Sequence, residues 1–423
     1  MKRSWTDSVR PESPGPIRLQ GWLHHYRQLA RVGFLLIRDA AGIAQIVTDD
    51  HALMQKLAAL PHEAVLEIEG EVAVQTQAPR GAEVRLRQLS VIAANGDPPL
   101  ELYRPVMREQ LSAKLDHAAL SLRHPRRRGT ARLAALATEG FRRHLQSQRF
   151  VEVHTPKIVG TATEGGANVF RLDYFGRDAF LAQSPQFYKQ IMVGALERVF
   201  EVGPVFRAEP HDTPRHLNEY TSLDVEMGFI ESHRDVMAVL GSVMSEILAA
   251  MSTFEADSQF VGNWPTVPNQ IPIVHFEDVR RRFGGLEPDL SPAEERQLGT
   301  WALDKYNSAF LFVEGYPLAK RPFYTHADPD RPGYSRGFDL IFKGTELVTG
   351  GQRLHRYKDY VVALQERQLA VDSFSGYLEA FKYGMPPHGG FAIGLERLLW
   401  RLLDLPNIRE ASLFPRDMTR LEP

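Results

Sequence analysis

Between Ile17 and Ile92 the chain repeats one pattern: a short apolar or alternating run, then a turn. The runs are Ile17–Leu23, Phe34–Arg38, Ala44–Val47, Val65–Val74 and Val84–Val91. Strands this short cannot bury an apolar face singly, and an open sheet of them would leave two unpaired edges. Closure into a small β-barrel removes both problems. Asp39–Gly42 and Pro79–Gly81 have the residues of hairpin turns, and His51–Leu60 reads as the one helix of the region.

Asn95–Pro99 breaks the pattern, the basic run Arg123–Arg128 follows, and a long helical stretch begins near Thr130. We therefore expect a barrel over 1–100, a hinge over 101–129 and a larger α+β domain over 130–423, where runs such as Val199–Phe206, Leu223–Phe229, Phe338–Phe342 and Phe391–Ile393 alternate with helices like Pro185–Leu196. The chain of 423 residues is long enough for this. Its net charge of -2 excludes a uniformly basic nucleic-acid coat, so any RNA site must be regional. With no cysteine there is no disulfide, thiolate metal site or cysteine nucleophile. Met1–Arg10 lacks the apolar stretch of a signal peptide, and no run approaches the roughly 18 uninterrupted apolar residues of a membrane span. The expectation is a cytoplasmic protein without a membrane partner.

Neither a GxxxxGK[ST] loop nor a dinucleotide-type GxGxxG is present, so phosphates would have to be held otherwise. Phe206-Arg207-Ala208-Glu209, with His211, Arg215, His216, Asn218 and Glu219 after it, concentrates ions between two apolar runs. Arginine offers a planar fork to phosphate oxygens, and Glu209 can accept from an exocyclic amine. Alone, the string fits a solvated hairpin tip better than a ligand site. Gly389-Gly390-Phe391-Ala392-Ile393-Gly394-Leu395-Glu396-Arg397 reads as strand, glycine turn and helix, and alone fits a capped helix with a surface arginine.

Together and in this order the two strings resemble the second and third signature motifs of class II aminoacyl-tRNA synthetases. The helix ending near Phe150, with the strand Val151–Thr155 leading into Pro156, resembles the first motif, which in that family forms a dimer interface. Gln183-Ser184-Pro185-Gln186-Phe187-Tyr188-Lys189-Gln190 is similar to the aspartate-binding signature of aspartyl-tRNA synthetases, in their compact archaeal and eukaryotic form. The resemblance implies an amino-terminal OB-fold that reads the anticodon and a class II catalytic domain, an antiparallel sheet flanked by helices.

It also implies roles for single residues. For aspartate these are Gln186, Lys189, Asp224, Arg353 and, in the mobile-loop string Thr163–Ala167, Glu164. A side-chain carboxylate needs fixed cations, which Lys189 and Arg353 supply, while Asp224 orients Lys189 and Glu164 meets the ammonium group. For ATP, Arg207 takes the α-phosphate, Glu209 reads adenine over a floor of Tyr220, and His216 and Arg397 lie toward the γ-phosphate. Glu346 and Thr349 hold magnesium, Thr349 standing where the family commonly has serine. Arg207, Glu346 and Arg397 are the catalytic set. In the barrel, Phe34 would stack on a base while Gln45 and Glu83 bond the central uridine. Gln28 and Ala30 depart from the family's usual Asp and Gly.

The implied reaction uses ATP as substrate with Mg2+ and attaches aspartate to tRNA(Asp). Phe34, Gln45 and Glu83 address a base that the aspartate and asparagine anticodons share. Near the third base, Ala78 and Gly81 have no polar side-chain group, leaving Arg80, His24 and His25. We therefore expect tRNA(Asn) to be charged as well, implying a partner amidotransferase, and we expect a homodimer. The competing readings are an asparaginyl-tRNA synthetase, whose string at Gln183–Lys189 usually differs, and a catalytically silent RNA-binding paralogue.

Overall fold

A computed structural model describes residues 1–160, 168–254, 264–285 and 287–422. The chain divides into two compact units, residues 1–128 and, among the described residues, the remainder.

In the first unit, β1 (Gly15–Leu29), β2 (Val32–Arg38), β3 (Ile43–Thr48), β4 (Val65–Val74) and β5 (Ala82–Ala93) close into a barrel in the order β1-β2-β3-β5-β4. Alternation sends Leu19, Leu35, Ile37, Ile46, Leu66, Ile68 and Val84 inward, none more than 1% exposed. Each such side chain contributes roughly 1.5–3 kcal/mol by leaving water. Helix α1 (His51–Ala58) begins where Asp50 accepts from the Ala52 and Leu53 backbone N–H groups, and its Leu57 joins the barrel core. β1 continues well past Leu23, over a bulge between Leu23 and His25, because pairing with β2 persists after the apolar alternation has stopped.

Pro125 opens helix α2 (Pro125–Ser147), ahead of the expected start near Thr130. Proline is tolerated there because the first N–H groups of a helix have no intrahelical partner. The expected strand Val151–Thr155 shortens to β6 (Val151–Glu152), since Thr155 gives its N–H to the Glu201 carboxylate instead of to a neighbouring strand. β7 (Ile158–Val159), β8 (Arg171–Tyr174) and β9 (Arg177–Leu181) make a small sheet in the order β7-β9-β8.

Helix α3 (Gln186–Leu196) leads into β10 (Arg198–Phe206) and β11 (Glu219–Gly228). Then come α4 (His233–Ser252), β12 (Ile273–His275), α5 (Pro292–Tyr306), β13 (Phe310–Glu314), β14 (Gly337–Phe342) and β15 (Thr345–Gln352). Helices α6 (Tyr357–Glu366) and α7 (Ser375–Lys382), strand β16 (His388–Gly394) and helix α8 (Leu395–Leu402) follow. The large sheet runs β12-β13-β14-β15-β16-β11-β10-β6, antiparallel except at its two edges, where β12 pairs with β13 and β6 with β10 in parallel.

Helix α4 starts at a capping box, Ser232 with Asp235. Val236, Leu240, Val243, Ile247 and Met251 recur at helical spacing on it, and each is 0% exposed. Among the described residues it is the one helix long and apolar enough to cross a bilayer, and half of its apolar window is buried inside the protein. On β11 both faces are covered: Leu223 and Val225 alternate with Ser222, Asp224 and Glu226, all buried.

Candidate active site

β10 and β11 pair without interruption from Arg198↔Met227 to Phe206↔Glu219, so residues 207–218 form a hairpin loop between two fixed strands. Asn218 closes its neck, donating from Nδ2 to Arg207 O at 2.7 Å while Arg207 N donates to Asn218 O at 2.8 Å. Arg207, Glu209, His216, Tyr220, Glu346, Thr349 and Arg397 all line one cleft beneath this loop. The seven positions that the resemblance assigns to a nucleotide thus come together from three separate stretches of chain, the β10–β11 hairpin, β15 and α8.

The ionic contacts in this cleft are long. Arg207 stands 3.9 Å and His216 3.7 Å from Glu209. The Arg207 guanidinium lies 6.0 Å from the centre of the Tyr220 ring. Arg397, in the first turn of α8, donates to Glu346 O at 3.0 Å and approaches Glu346 Oε1 at 3.4 Å, and the Thr349 hydroxyl donates to the same oxygen at 3.3 Å. Burial holds the His216 imidazole below its ordinary pKa, with Glu209 acting in the opposite sense.

Beside this cleft lies a tighter cluster. Lys189 Nζ is 3.0 Å from Asp224 Oδ1 and 3.4 Å from Glu226 Oε2, while Arg353 Nε donates to Glu226 Oε1 at 3.0 Å. Two cations face two carboxylates, and all four residues are buried. Burial works to raise the Glu226 carboxyl, but Arg353 and then Lys189 outweigh it and hold the group below the ordinary carboxylate range. The next strand must come very close here: a Cβ on Gly390 would meet Val225 O at 2.0 Å and Glu226 Oε2 at 2.3 Å. Gln186, buried one turn from Lys189, has a side-chain Nε2 without a hydrogen-bond partner. Glu164 lies outside the described residues.

Sequence reasoning missed the residues behind these side chains. Glu226 could have been found, since it sits two positions after Asp224 in an apolar strand and therefore on the same face. Glu295, on α5, pairs with Arg215 at 3.1 Å and accepts the Glu346 N–H at 3.0 Å. Asp339 stands opposite Thr349 in the β14–β15 register; burial pushes its carboxyl up to about 6, Arg321 opposing and Glu346 adding to the rise. Burial likewise pushes Glu396 up to about 7, and it accepts the Thr221 N–H at 3.0 Å. Downstream, Arg409 bonds both Asp212 of the hairpin loop and Asp417, at 2.5 Å each, and Ile408 N donates to Pro214 O. Nothing local in those residues marks such long-range roles.

In the barrel, Leu36↔Gln45 and Phe34↔Val47 are cross-strand pairs, and the inward Leu35 and Ile46 alternate with them, so Phe34 and Gln45 face outward. Gln45 Nε2 donates to Glu83 Oε2 at 2.8 Å, and the Arg27 guanidinium lies 5.4 Å from the Phe34 ring centre. His24 is unsuited to reading a base: it is 6% exposed, 3.2 Å from Arg38, and burial, with Arg38 adding, pushes its pKa down to about 3. His25 is half-buried and stacks on Tyr103 at 4.9 Å. Ala30 adopts φ +49 in the β1–β2 turn, a left-handed conformation that the family's usual glycine takes without strain.

A larger open groove, about 980 Å³, lies along α4 and residues 267–273. Its Arg234 is already paired with Glu314 at 2.7 Å, and the ionisable residues discussed above are elsewhere.

Residues 110–418 match the family of class II tRNA synthetases (D, K and N), and residues 17–92 match the OB-fold nucleic acid binding domain. The chain therefore belongs to the class II tRNA synthetases, with an OB-fold ahead of the catalytic domain. It is 44% identical over 415 residues, 96% of each chain, to the aspartate–tRNA(Asp/Asn) ligase of Thermus thermophilus. It is 42% identical to the aspartate–tRNA(Asp/Asn) ligase of Deinococcus radiodurans, covering 100% of this chain and 99% of that one. Among solved structures it resembles the asparaginyl-tRNA synthetase of Pyrococcus horikoshii complexed with asparaginyl-adenylate, with a TM-score of 0.90, 30% identity and full coverage of both chains.

Proposed function

We propose that this chain activates aspartate with ATP and transfers it to tRNA, accepting tRNA(Asn) as well as tRNA(Asp). The observation that carries the aspartate reading is the Lys189–Asp224–Glu226–Arg353 cluster, reached through the Gln183–Lys189 string. Two desolvated cations at fixed spacing suit a side-chain carboxylate and give a neutral amide no comparable return. The higher identity to aspartate ligases than to the asparagine enzyme supports the same choice.

An aspartate α-carboxylate oxygen attacks the α-phosphorus of ATP, pyrophosphate leaves, and a terminal ribose hydroxyl of tRNA then takes the aspartyl group from AMP. A carboxylate is already nucleophilic, so the protein acts by alignment and charge stabilisation. Arg207 meets the α-phosphate, Glu209 reads adenine over Tyr220, and His216 and Arg397 lie toward the γ-phosphate. Lys189 and Arg353 hold the side-chain carboxylate, Asp224 orients Lys189, Gln186 belongs to the same aspartate set, and Glu164 addresses the ammonium end.

The oxygens of Glu346 and Thr349, with Asp339 in register nearby, are hard donors of the kind Mg2+ takes. Among the described residues no three acidic or imidazole groups gather closely enough to hold a metal alone, so Mg2+ would share its shell with ATP phosphates. Bound there, it would neutralise phosphate charge.

In the barrel, Phe34, Gln45 and Glu83 address a shared anticodon base, and the deep burial of His24 removes one candidate for telling the third base apart. A relaxed enzyme implies an amidotransferase that converts the mischarged product. The exposed Val151 and Ile158, beside Pro156, support a homodimer built on that segment. The test is pyrophosphate exchange with aspartate against asparagine, then aspartate charging of the two unmodified transcripts. Asparagine-driven exchange would overturn the amino-acid reading, and a preference above about a thousandfold between transcripts would overturn the relaxed one.

A further inference from the structure

Gln190 closes the string that carries Lys189, yet no role above uses it. It is 0% exposed and sits in a buried web with Tyr360, Tyr377 and His388. Gln190 Nε2 is 2.9 Å from His388 Nε2 and 3.1 Å from the Tyr360 hydroxyl, and the Tyr377 hydroxyl donates to Gln190 Oε1 at 2.8 Å.

Two backbone carbonyls fix the directions of the bonds through His388, Gln190 and Tyr360. His388 Nδ1 lies 2.9 Å from Pro386 O, which can only accept, so the imidazole proton sits on Nδ1. His388 Nε2 is then an acceptor and must face the Gln190 amide N–H. That turns Gln190 Oε1 toward Tyr377, whose hydroxyl donates to it at 2.8 Å and, more distantly, faces the Tyr360 hydroxyl at 3.1 Å. The Tyr360 hydroxyl spends its proton on Leu354 O at 2.7 Å and accepts from Gln190. Neither His388 nor the Gln190 amide can be reversed without setting like groups against each other in the buried web.

The web joins the elements that carry the carboxylate cluster. Gln190 is on α3 next to Lys189. Leu354, whose carbonyl is held, follows Arg353, and the Arg353 N–H donates to His388 O at 2.8 Å. We infer that Gln190 is a positioning residue for the amino-acid substrate, its proton-ordered web setting the spacing between Lys189 and Arg353. This rests on the aspartate reading above and adds the groups that make the clamp rigid. The groups facing His388 are Glu226 from β11, Arg353 and His355 after β15, and the Phe381 ring of α7 at 6.0 Å. Burial pushes the His388 pKa down to about 4, with Glu226 opposing, so the neutral ring persists at working pH.

The test has two arms on the full chain. Side-chain 15N spectra of histidine-labelled protein, with His388→Asn assigning the signal, are expected to show the Nδ1–H tautomer with no titration between pH 8 and about 5.5. An Nε2–H tautomer, or titration near 6.5, overturns the web. In the second arm, Gln190→Leu and Gln190→Glu should raise the aspartate KM tenfold or more with the ATP KM within about twofold, and Tyr377→Phe should move it in the same direction by less. Equal shifts in both KM values, or no aspartate shift in a variant with wild-type circular dichroism and melting, overturn the positioning role. Tyr377→Phe keeps the ring packing and decides the matter if both Gln190 variants fail to fold. Absence of aspartate-driven exchange in the unmodified chain would instead refute the substrate reading, leaving the spectral arm to judge the web.

Discussion

The barrel and the large sheet are both mainly antiparallel, yet they bury opposite things. Inside the barrel the side chains are apolar, and of the residues assigned to RNA, Phe34 and Gln45 sit on the outer face, where Gln45 reaches the buried Glu83. In the sheet, Asp224 and Glu226 point into a second buried layer where Lys189 and Arg353 meet them. A barrel of the first kind can change its recognition surface without touching its core. A sheet of the second kind cannot, because each functional charge is also a desolvated structural charge whose partner it must not lose.

The sharpest way to break this contrast is Glu226→Ala, which strips a partner from both buried cations. It should lower stability by about 3–5 kcal/mol in urea unfolding, and a loss under about 1 kcal/mol would show that the cluster is effectively solvated. Next is Lys189→Ala, expected to cost about 2–5 kcal/mol in aspartate-dependent kcat/KM and leave Asp224 uncompensated. Near-normal use of aspartate would remove Lys189 from the clamp.

In the barrel, Glu83→Ala should cost about 1–3 kcal/mol in kcat/KM for tRNA while sparing aspartate-driven exchange. A matching fall in exchange would mean that the barrel face is not independent of the chemistry.

Glu396 sharpens the contrast through pH. Its carboxyl is raised to about 7, so between its unfolded value near 4.5 and about 7 the folded chain holds more protons than the unfolded one. Stability due to this group therefore falls as pH rises through that window, and above it the buried charge carries its full penalty. Glu396→Gln should flatten that fall, by on the order of 2–3 kcal/mol between pH 5 and pH 8, as followed by melting at the two values. An unchanged slope would mean that Glu396 is solvated.

The smallest effect is Ala30→Gly, where relief of the left-handed backbone slightly exceeds the added unfolded-state entropy. A gain of about 0.5 kcal/mol is expected by urea unfolding, and any loss would place that turn under other constraints.

The same contrast explains what could be read in advance. Barrel strands announce themselves, because Leu35, Ile37 and Ile46 alternate with outward residues and the turns carry Asp39–Gly42 and Pro79–Gly81. The strand ends were less legible: β1 continues over polar Arg27 and Gln28 because pairing with β2, not burial, holds them. In the catalytic domain the motif strings located Arg207, Lys189, Arg353 and Arg397 at positions that the fold gathers around two adjoining clusters. Their supports were not legible. Glu295 reaches Glu346 across 51 residues and Gln190 reaches His388 across 198, and such pairings depend on tertiary packing that leaves no periodicity in the chain.

The bond from Arg409 to Asp212 has a temporal meaning. It spans 197 residues, so during synthesis the strands β10 and β11 are complete long before their connecting loop can be fastened. A ribosome-bound chain that has emerged only through α8 would possess every side chain assigned to phosphate, and Arg215 could already pair with Glu295, yet the Arg409 bond to Asp212 would still be missing. The last fastening of the loop therefore waits until the stretch from Asn407 to Arg420 emerges.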